Sequence, residues 1–384
     1  MQKQDSYDYY VGIDCAQNKH DFAMKNNQDK FLIKKGHFSN TLQGYEKFLN
    51  TVLSKCLDKD KILFGMEVTG IYGTNLYERL KSDGYHVVMI FPDSVKNYRD
   101  YKRLNKTDKI DSACIAELLL NGDAQIVHAE KNGYTDLKAY IRRRNALKVT
   151  CTQETNRFLA KVCLYFPDLL KVFPSGRATL KAIFSIYPTP YSIIEADFNE
   201  LVSVLQKASK NKFGVDKANE LIHAARNSIV VRKSISDGEL YNIHSLIDSI
   251  DSLESEIRNL EKIIDSKAEE FPAYHVLLTL TGCGKITAAT IVAEIGDISR
   301  FHKASQIVSL AGLYGDNSKS GSSVNKRGKI SKKGSRYLRH AIYMVAEFAR
   351  RNNPIFKAYF TKKDTFNKLG YKAKINTHTT SYIN

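Results

Sequence analysis

KTDKIDSACIAELLL, residues 106–120, decides how the first third of this 384-residue chain is read. The stretch reads as a helix with Asp108 and Asp111 about one turn apart on one face. Two carboxylates so placed make a metal-ligand pair only when others join them. Taken alone, the same residues suit a helix start in which Asp108 caps and Asp111 is solvated. Two further carboxylates lie upstream, each closing an apolar run: Asp14 after YYVGI and Glu67 after ILFGM. The set Asp14, Glu67, Asp108 and Asp111 offers only oxygen ligands. Such a set suits magnesium or manganese, and two such ions about 3.5–4 Å apart are the usual apparatus of phosphodiester cleavage.

The elements around this stretch set the fold class. Residues 8–38 read as three short strands, YYVGIDCA, HDFAMKN and FLIKKGHF, joined by polar turns into an antiparallel meander. A helix at 42–57, a strand KILFGME, a helix near 71–82 and a strand HVVMIF at 86–91 follow. Meander, then alternating helix and strand, predicts an α/β mixed sheet with helices on its faces. A crossover helix returns the fourth strand parallel to the first, making Asp14 and Glu67 neighbours, with the acidic helix over the strand ends. This is a ribonuclease H-like arrangement.

From about 130 to 270 the pattern is helical, beginning with IRRRNALKVTCTQETNRFLAKVCLYFP. Its cluster Arg142, Arg143 and Arg144 is either a solvated face or a nucleic-acid contact. Between Gly176 and Asn227, short helical runs are broken by YPTPY and NKFG. At 243–264 the positions Ile243, Leu246, Ile250, Leu253, Ile257, Leu260 and Ile264 alternate spacings of three and four. That seam predicts an antiparallel hairpin or a dimeric coiled coil, with a buried helix of one monomer as the alternative.

In LLTLTGCGKITAATIVAEIGDISRF, Gly282 and Gly284 predict a tight turn between two helices, followed by Lys285 and by small residues that permit close packing. The pattern resembles a helix-hairpin-helix, whose backbone amides grip phosphate without reading bases; a plain helical turn is the alternative. Beyond it lies LAGLYGDNSKSGSSVNKRGKISKKGSRYLRHAIY. A Gly- and Ser-rich loop carries Lys326, Arg327, Lys329, Lys332 and Lys333, then enters a helix carrying Arg336 and Arg339. Serines in such loops are usually solvated turn formers. Beside clustered cations, however, a serine oxygen can attack a phosphodiester, because the cations stabilise the charge developing on phosphate.

Composition narrows the partners. The formal charge is +17, and residues 301–384 hold 17 Lys and Arg against the three acids Asp316, Glu347 and Asp364. Such a surplus fits a polyanion, nucleic acid before an anionic membrane surface. No signal peptide is apparent, and no apolar run reaches the roughly 18 residues of a membrane span. Six cysteines without a CxxC predict reduced thiols in a cytoplasm, with Cys15 a packing residue.

Taken together, GIDCAQNKHDF, GMEVTGIYG and KTDKIDSACIAELL near one end, with LTLTGCGKITAATIVAEIGDISRF, LAGLY, the Ser320–Gly321 pair and GKISKKGSRYLR near the other, resemble one family. It is the DEDD-type transposases of the insertion-sequence 110 group, related to Piv-type DNA invertases. The resemblance implies a RuvC-like ribonuclease H domain over 1–130, a helical linker and coiled coil over 131–270, and a mainly α transposase domain with the serine loop over 271–384. It implies that Asp14, Glu67, Asp108 and Asp111 are the DEDD set and that Ser320 is the nucleophile. The choice over Ser318, Ser322 and Ser323 rests on the Ser–Gly pair and the downstream GKISKKG. It further implies a homo-oligomeric recombinase acting on element ends and target DNA, guided by a noncoding bridge RNA, in a bacterial cytoplasm at the nucleoid. Relatives carry a further basic and apolar helix where this chain trails into NKLGYKAKINTHTTSYIN, so a copy impaired in assembly or activity is one expectation.

Three rival readings stay open on the residues alone. A ribonuclease H-like nuclease of the junction-resolving type would use metal-activated water and leave the serine loop without a role. An actin-like ATPase or sugar kinase would share GIDCAQ but needs further glycine-rich phosphate loops that the sequence lacks. A noncatalytic nucleic-acid-binding protein would keep its function without the carboxylates.

Overall fold

The computed structural model describes residues 7–56, 58–67, 72–104, 107–127, 132–315 and 330–367. The side chains of Asp108, Lys109, Asn132 and residues 363–367 also lie outside the description. The chain forms two compact units, Met1–Ala129 and Glu130–Asn384.

The first unit is built on a six-stranded sheet of order β3-β2-β1-β4-β5-β6. Strands β1 (Tyr9–Asp14), β2 (Lys19–Asn26) and β3 (Phe31–Ser39) form the expected antiparallel meander. Strand β4 (Ile62–Glu67) lies parallel to β1, and β5 (His86–Ile90) parallel to β4. The short β6 (Ile126–Val127) closes the far edge antiparallel to β5. Helices α1 (Leu42–Leu53) and α2 (Thr74–Ser82) supply the crossovers, and α3 (Pro92–Tyr101) and α4 (Asp108–Asn121) follow β5.

Strand alternation sends odd and even residues of β1 to different cores. Val11 and Ile13 join Phe22, Phe48 and Phe64 in one core, where the Phe38 and Phe48 rings stack at 4.3 Å. Such a ring pair adds about 0.5–1.5 kcal/mol beyond the burial of its area. Gly12, on the opposite face, lies against α4. A β-carbon there would sit 2.2 Å from the Ser112 carbonyl oxygen and 2.5 Å from the Ala116 nitrogen. Glycine is therefore what lets the helix backbone rest on the strand.

The second unit is helical among its described residues. Two long helices, α5 (Asn132–Tyr165) and α11 (Asp237–Ala268), pack together. Between them run five shorter helices: α6 (Leu169–Val172), α7 (Arg177–Ile186), α8 (Pro190–Ile194), α9 (Phe198–Ser209) and α10 (Val215–Arg226). After them come α12 (Pro272–Leu278), α13 (Lys285–Ile295), α14 (Ala304–Leu310), α15 (Arg336–Asn352) and α16 (Pro354–Asn367).

The long helices run antiparallel, because Lys161 pairs with Glu239 at one end (2.6 Å) and Arg144 with Glu261 nearer the other (2.5 Å). The apolar seam is satisfied by this partner within the same chain. Ile243, Ile250, Ile257 and Ile264 are buried at intervals of seven, and Leu253 and Leu260 are half-buried. Two cores share the pair. Ile243 and Ile250 join the core of α6–α10, whereas Ile264 and Ala268 join that of α12–α15.

Candidate functional site

Register brings the first two carboxylates together. Ile13 pairs with Met66 in the parallel β1–β4 ladder, so Asp14 and Glu67 are the next residues on adjacent strands. Both belong to the set facing α4, since Gly12 meets Ser112 and a β-carbon at Gly65 would meet Leu119. Each also has interactions with its surroundings. The neighbouring Cys15 thiol is pushed up to about 12, first by burial and then by the negative charge of Asp14 and Glu67. Cys15 is thus a protonated packing residue beside both carboxylates.

The direction of α4 follows from two contacts. Lys25, the register partner of Tyr10, donates to Glu117 (Nζ to Oε1, 3.2 Å), while Gly12 lies under Ser112 and Ala116. The helix therefore runs against β1, and its first turn reaches the level of Asp14. Thr107 caps that turn by accepting from the Ile110 amide, so Asp108 opens the helix as its first residue. Asp111 is buried, and one of its oxygens accepts from Arg99 of α3 (2.5 Å). Its carboxylate is paired rather than solvated.

Two participants were missed in the sequence. Arg99 sits in α3, where nothing local marks it as the partner of Asp111. Asp21 is the cross-strand partner of Asp14 and is buried, with one oxygen near Lys19 (3.3 Å) and the other without a hydrogen-bond partner among the described residues. The alternation of the first two strands around their short turn would have placed Asp21 beside Asp14. Among the described residues, no three Asp, Glu, His or Cys side chains stand close enough to hold a metal ion. The Asp108 side chain lies outside that description.

In the second unit the three arginines of α5 are committed to glutamates. Arg142 pairs with Glu294 (3.4 Å), Arg143 with Glu256 (2.9 Å) and Arg144 with Glu261. Buried Glu294 also accepts from the Ser335 hydroxyl (2.7 Å), and the same hydroxyl oxygen caps α15 by accepting from the Leu338 amide. Gly282 adopts φ +89° in the turn between α12 and α13, packed against Phe348. Gly284 caps α13, and Lys285 pairs with Asp265 (2.5 Å), which also accepts from Tyr274.

Ser320, Lys326, Arg327 and Lys329 lie outside the described residues. The flanks of their segment are fastened to each other. Gly315 bridges Ile330, the Ser331 amide donates to the Tyr314 carbonyl, and Arg339 donates to the carbonyls of Ala311 and Lys332. Lys332 has φ +57°, and the Lys333 amide donates to the Ser331 hydroxyl. Arg336, at the start of α15, lies over the Tyr337 ring.

A mixed sheet of this order, with carboxylates ending its first and fourth strands and a helical unit after it, is compatible with an α/β ribonuclease H-like domain joined to a helical carboxy-terminal part. Comparison with known proteins narrows the class. Residues 11–167 match the DEDD transposase model of the IS110 group, and residues 274–361 match the transposase IS116/IS110/IS902 family.

Relatives include the candidate transposase of the IS117 mini-circle of Streptomyces coelicolor, 23% identical over 80% of this chain and 77% of the relative. A 44.8 kDa protein of insertion element IS116 from Streptomyces clavuligerus is 24% identical over 92% of this chain and 88% of its own. The pilin gene-inverting protein of Moraxella bovis is 34% identical over 31% of this chain and 35% of its own. The chain belongs to the insertion-sequence 110 family of transposases, enzymes of DNA transposition and recombination. Among the described residues no helix is long and apolar enough to cross a membrane.

Proposed function

We propose that this chain is a site-specific DNA recombinase in which Asp14, Glu67, Asp108 and Asp111 form a divalent-metal centre and Ser320 is the nucleophile. The observation that carries the reading is the parallel β1–β4 register, which makes Asp14 and Glu67 neighbours, with the first turn of α4 at their level. The donor chemistry fits magnesium or manganese, because adjacent carboxylates repel one another unless a cation neutralises them. When bound, the metal would supply Lewis-acid polarisation of the scissile phosphate.

In the proposed reaction the Ser320 hydroxyl oxygen bonds to phosphorus as the bond to the departing strand breaks. The departing oxygen takes a proton and leaves as a hydroxyl. Attack by the hydroxyl of a new strand reverses the step and releases the serine, so the bond energy is conserved without ATP. Lys326, Arg327, Lys329, Lys332 and Lys333 supply cations near that step, and Gly321 lets the backbone approach the phosphate. Arg99 orients Asp111.

The same reading takes residues 1–130 as RuvC-like, 131–270 as a linker with a coiled coil, and 271–384 as the transposase domain with a helix-hairpin-helix at Gly282, Gly284 and Lys285. It includes a homo-oligomer on element ends and target DNA, a structured noncoding guide RNA, and action at the bacterial nucleoid. Cleavage of labelled element ends in magnesium tests it. Ser320→Ala should retain DNA binding but lose cleavage and the covalent protein–DNA adduct, and Asp14→Asn should abolish cleavage. Cleavage by Ser320→Ala without any adduct would instead indicate hydrolysis by a junction-resolving type of nuclease.

A further inference from the structure

The second unit carries a groove of about 850 Å³ between α5, the start of α13 and the outer face of α15. Arg336, His340, Met344 and Phe348 recur every four residues along α15, which puts them on one helical face. The opposite face of that helix is spent on the core through Leu338, Ile342, Val345 and Ala349.

The outer stripe is unusual for its large apolar groups. Met344 remains 47% and Phe348 48% exposed, and Val149 across the groove 59%. Tyr337 and Tyr343 add two more rings to the wall.

Charge selects the kind of occupant. Arg144, Lys148, Arg336 and Arg351 line the groove with Glu347; Arg144 is paired with Glu261 and Arg351 with Glu347, which leaves Lys148 and Arg336 as its uncompensated cations among the described residues. Glu347 is itself held down to about 2 by Arg350 first and by Arg351 as well, so it remains ionised and paired. Lys148 and Arg336 are exposed and have no carboxylate partner among the described residues. Cations interleaved with exposed rings match a phosphate backbone whose bases are unpaired, because a ring can stack only on a base free of its complement. A cleft of this volume suits a ligand of small-molecule size, a nucleotide or two of one strand, and is too small to admit a duplex.

We propose that this groove binds an unpaired stretch of single-stranded DNA, with phosphates on Lys148 and Arg336 and bases against Phe348 and its neighbours. The choice of DNA rests on the transposase reading above, since strand exchange must separate strands before it rejoins them.

The test uses the full chain and a short fluorescein-labelled oligothymidylate, followed by anisotropy across a salt series. Lys148→Glu combined with Arg336→Glu should weaken binding at least about tenfold and flatten the slope of log affinity against log salt by about 1.4, near 0.7 for each lost phosphate contact. Phe348→Leu keeps bulk against Gly282 but removes the ring face, and should weaken single-strand binding about fivefold or more. Duplex affinity should change less than about twofold in Phe348→Leu, and less than single-strand affinity in the charge-reversed variant, the contrast expected for a site that takes unpaired bases.

Unchanged single-strand affinity would overturn the proposal. Equal losses for duplex would reduce the groove to a general cationic surface, and tighter binding of the matching oligouridylate would reassign it to RNA. Each of these leaves the transposase reading standing if the wild type cleaves element ends. A wild type that binds no DNA of any form would sink that reading and the groove with it.

Discussion

Gly12→Ala adds one carbon at the point where α4 rests on β1, and its effect can be worked from the contacts. The new β-carbon would lie 2.2 Å from the Ser112 carbonyl oxygen, 2.5 Å from the Ala116 nitrogen and 2.9 Å from the Ile115 β-carbon. The first two are backbone atoms of a helix and have no rotamer by which to withdraw. Carbon–oxygen contacts ordinarily settle near 3.3–3.6 Å, so α4 must move roughly 1 Å off the sheet. Overpacking of this kind costs about 1–3 kcal/mol. For a unit of this size that amounts to a fall in melting temperature of about 3–5 °C per kcal/mol.

Chemistry should suffer more than stability. The displaced helix carries Asp108 and Asp111 of the proposed metal centre, and a misplacement of about 1 Å in a reacting constellation costs about 10²-fold in rate. Differential scanning calorimetry of the full chain and cleavage of a labelled element end in magnesium read the two effects. Gly238→Ala is the control, because nothing lies within 4 Å of a β-carbon there. A Gly12→Ala protein that melts with the wild type and cleaves at the wild-type rate would refute the claim that close packing at Gly12 sets the position of the acidic helix.

Other perturbations have equally definite outcomes. Arg99→Ala leaves Asp111 buried without its cation and should cost about 3–5 kcal/mol, with Arg99→Lys recovering part of it; equal urea midpoints for all three proteins would rule out a structural role for the pair. Glu347 is depressed in the folded protein, so its stabilisation is complete above its ordinary value of 4.5 and is lost as the pH falls through about 2. After solvent screening this is worth about 1–2 kcal/mol, and melting temperatures of Glu347→Gln should vary less than those of wild type between those limits. Ile250→Asp buries a charge in the helix pair and should cost at least about 3 kcal/mol, seen as lost helical circular dichroism at a fixed urea concentration. A fully helical Ile250→Asp protein with an unchanged midpoint would show that the seam is not what holds α5 and α11 together.

The sheet was legible because its signals are local. Alternation and apolar runs mark β1 to β5, and the crossover rule makes β4 parallel to β1, from which the adjacency of Asp14 and Glu67 follows. The start of α4 was legible to within one residue: the sequence offered Asp108 as its cap, whereas Thr107 caps it and Asp108 is the first helical residue. What escaped depends on partners far away in sequence. Arg142, Arg143 and Arg144 look like a surface cluster, yet their glutamates lie more than a hundred residues downstream, at positions 294, 256 and 261. The seam at 243–264 announced a partner without saying which one, because a heptad pattern encodes a face and not an address. Helices α6 and α8 blurred for another reason: runs of four and five residues carry too few periods to define a face.

The pairing of α5 with α11 also makes a spacer of fixed length. Thirty-two residues of α11 extend about 48 Å, and each of its two halves is anchored in a different core. Seven residues inserted at matching levels of both helices would keep every buried isoleucine in phase while driving the cores apart by about 10 Å. Three or four residues in one helix alone would rotate the seam out of contact. Length along this axis can thus change only in steps of a heptad, which makes the helix pair a ruler for whatever must be reached from the two ends of the second unit.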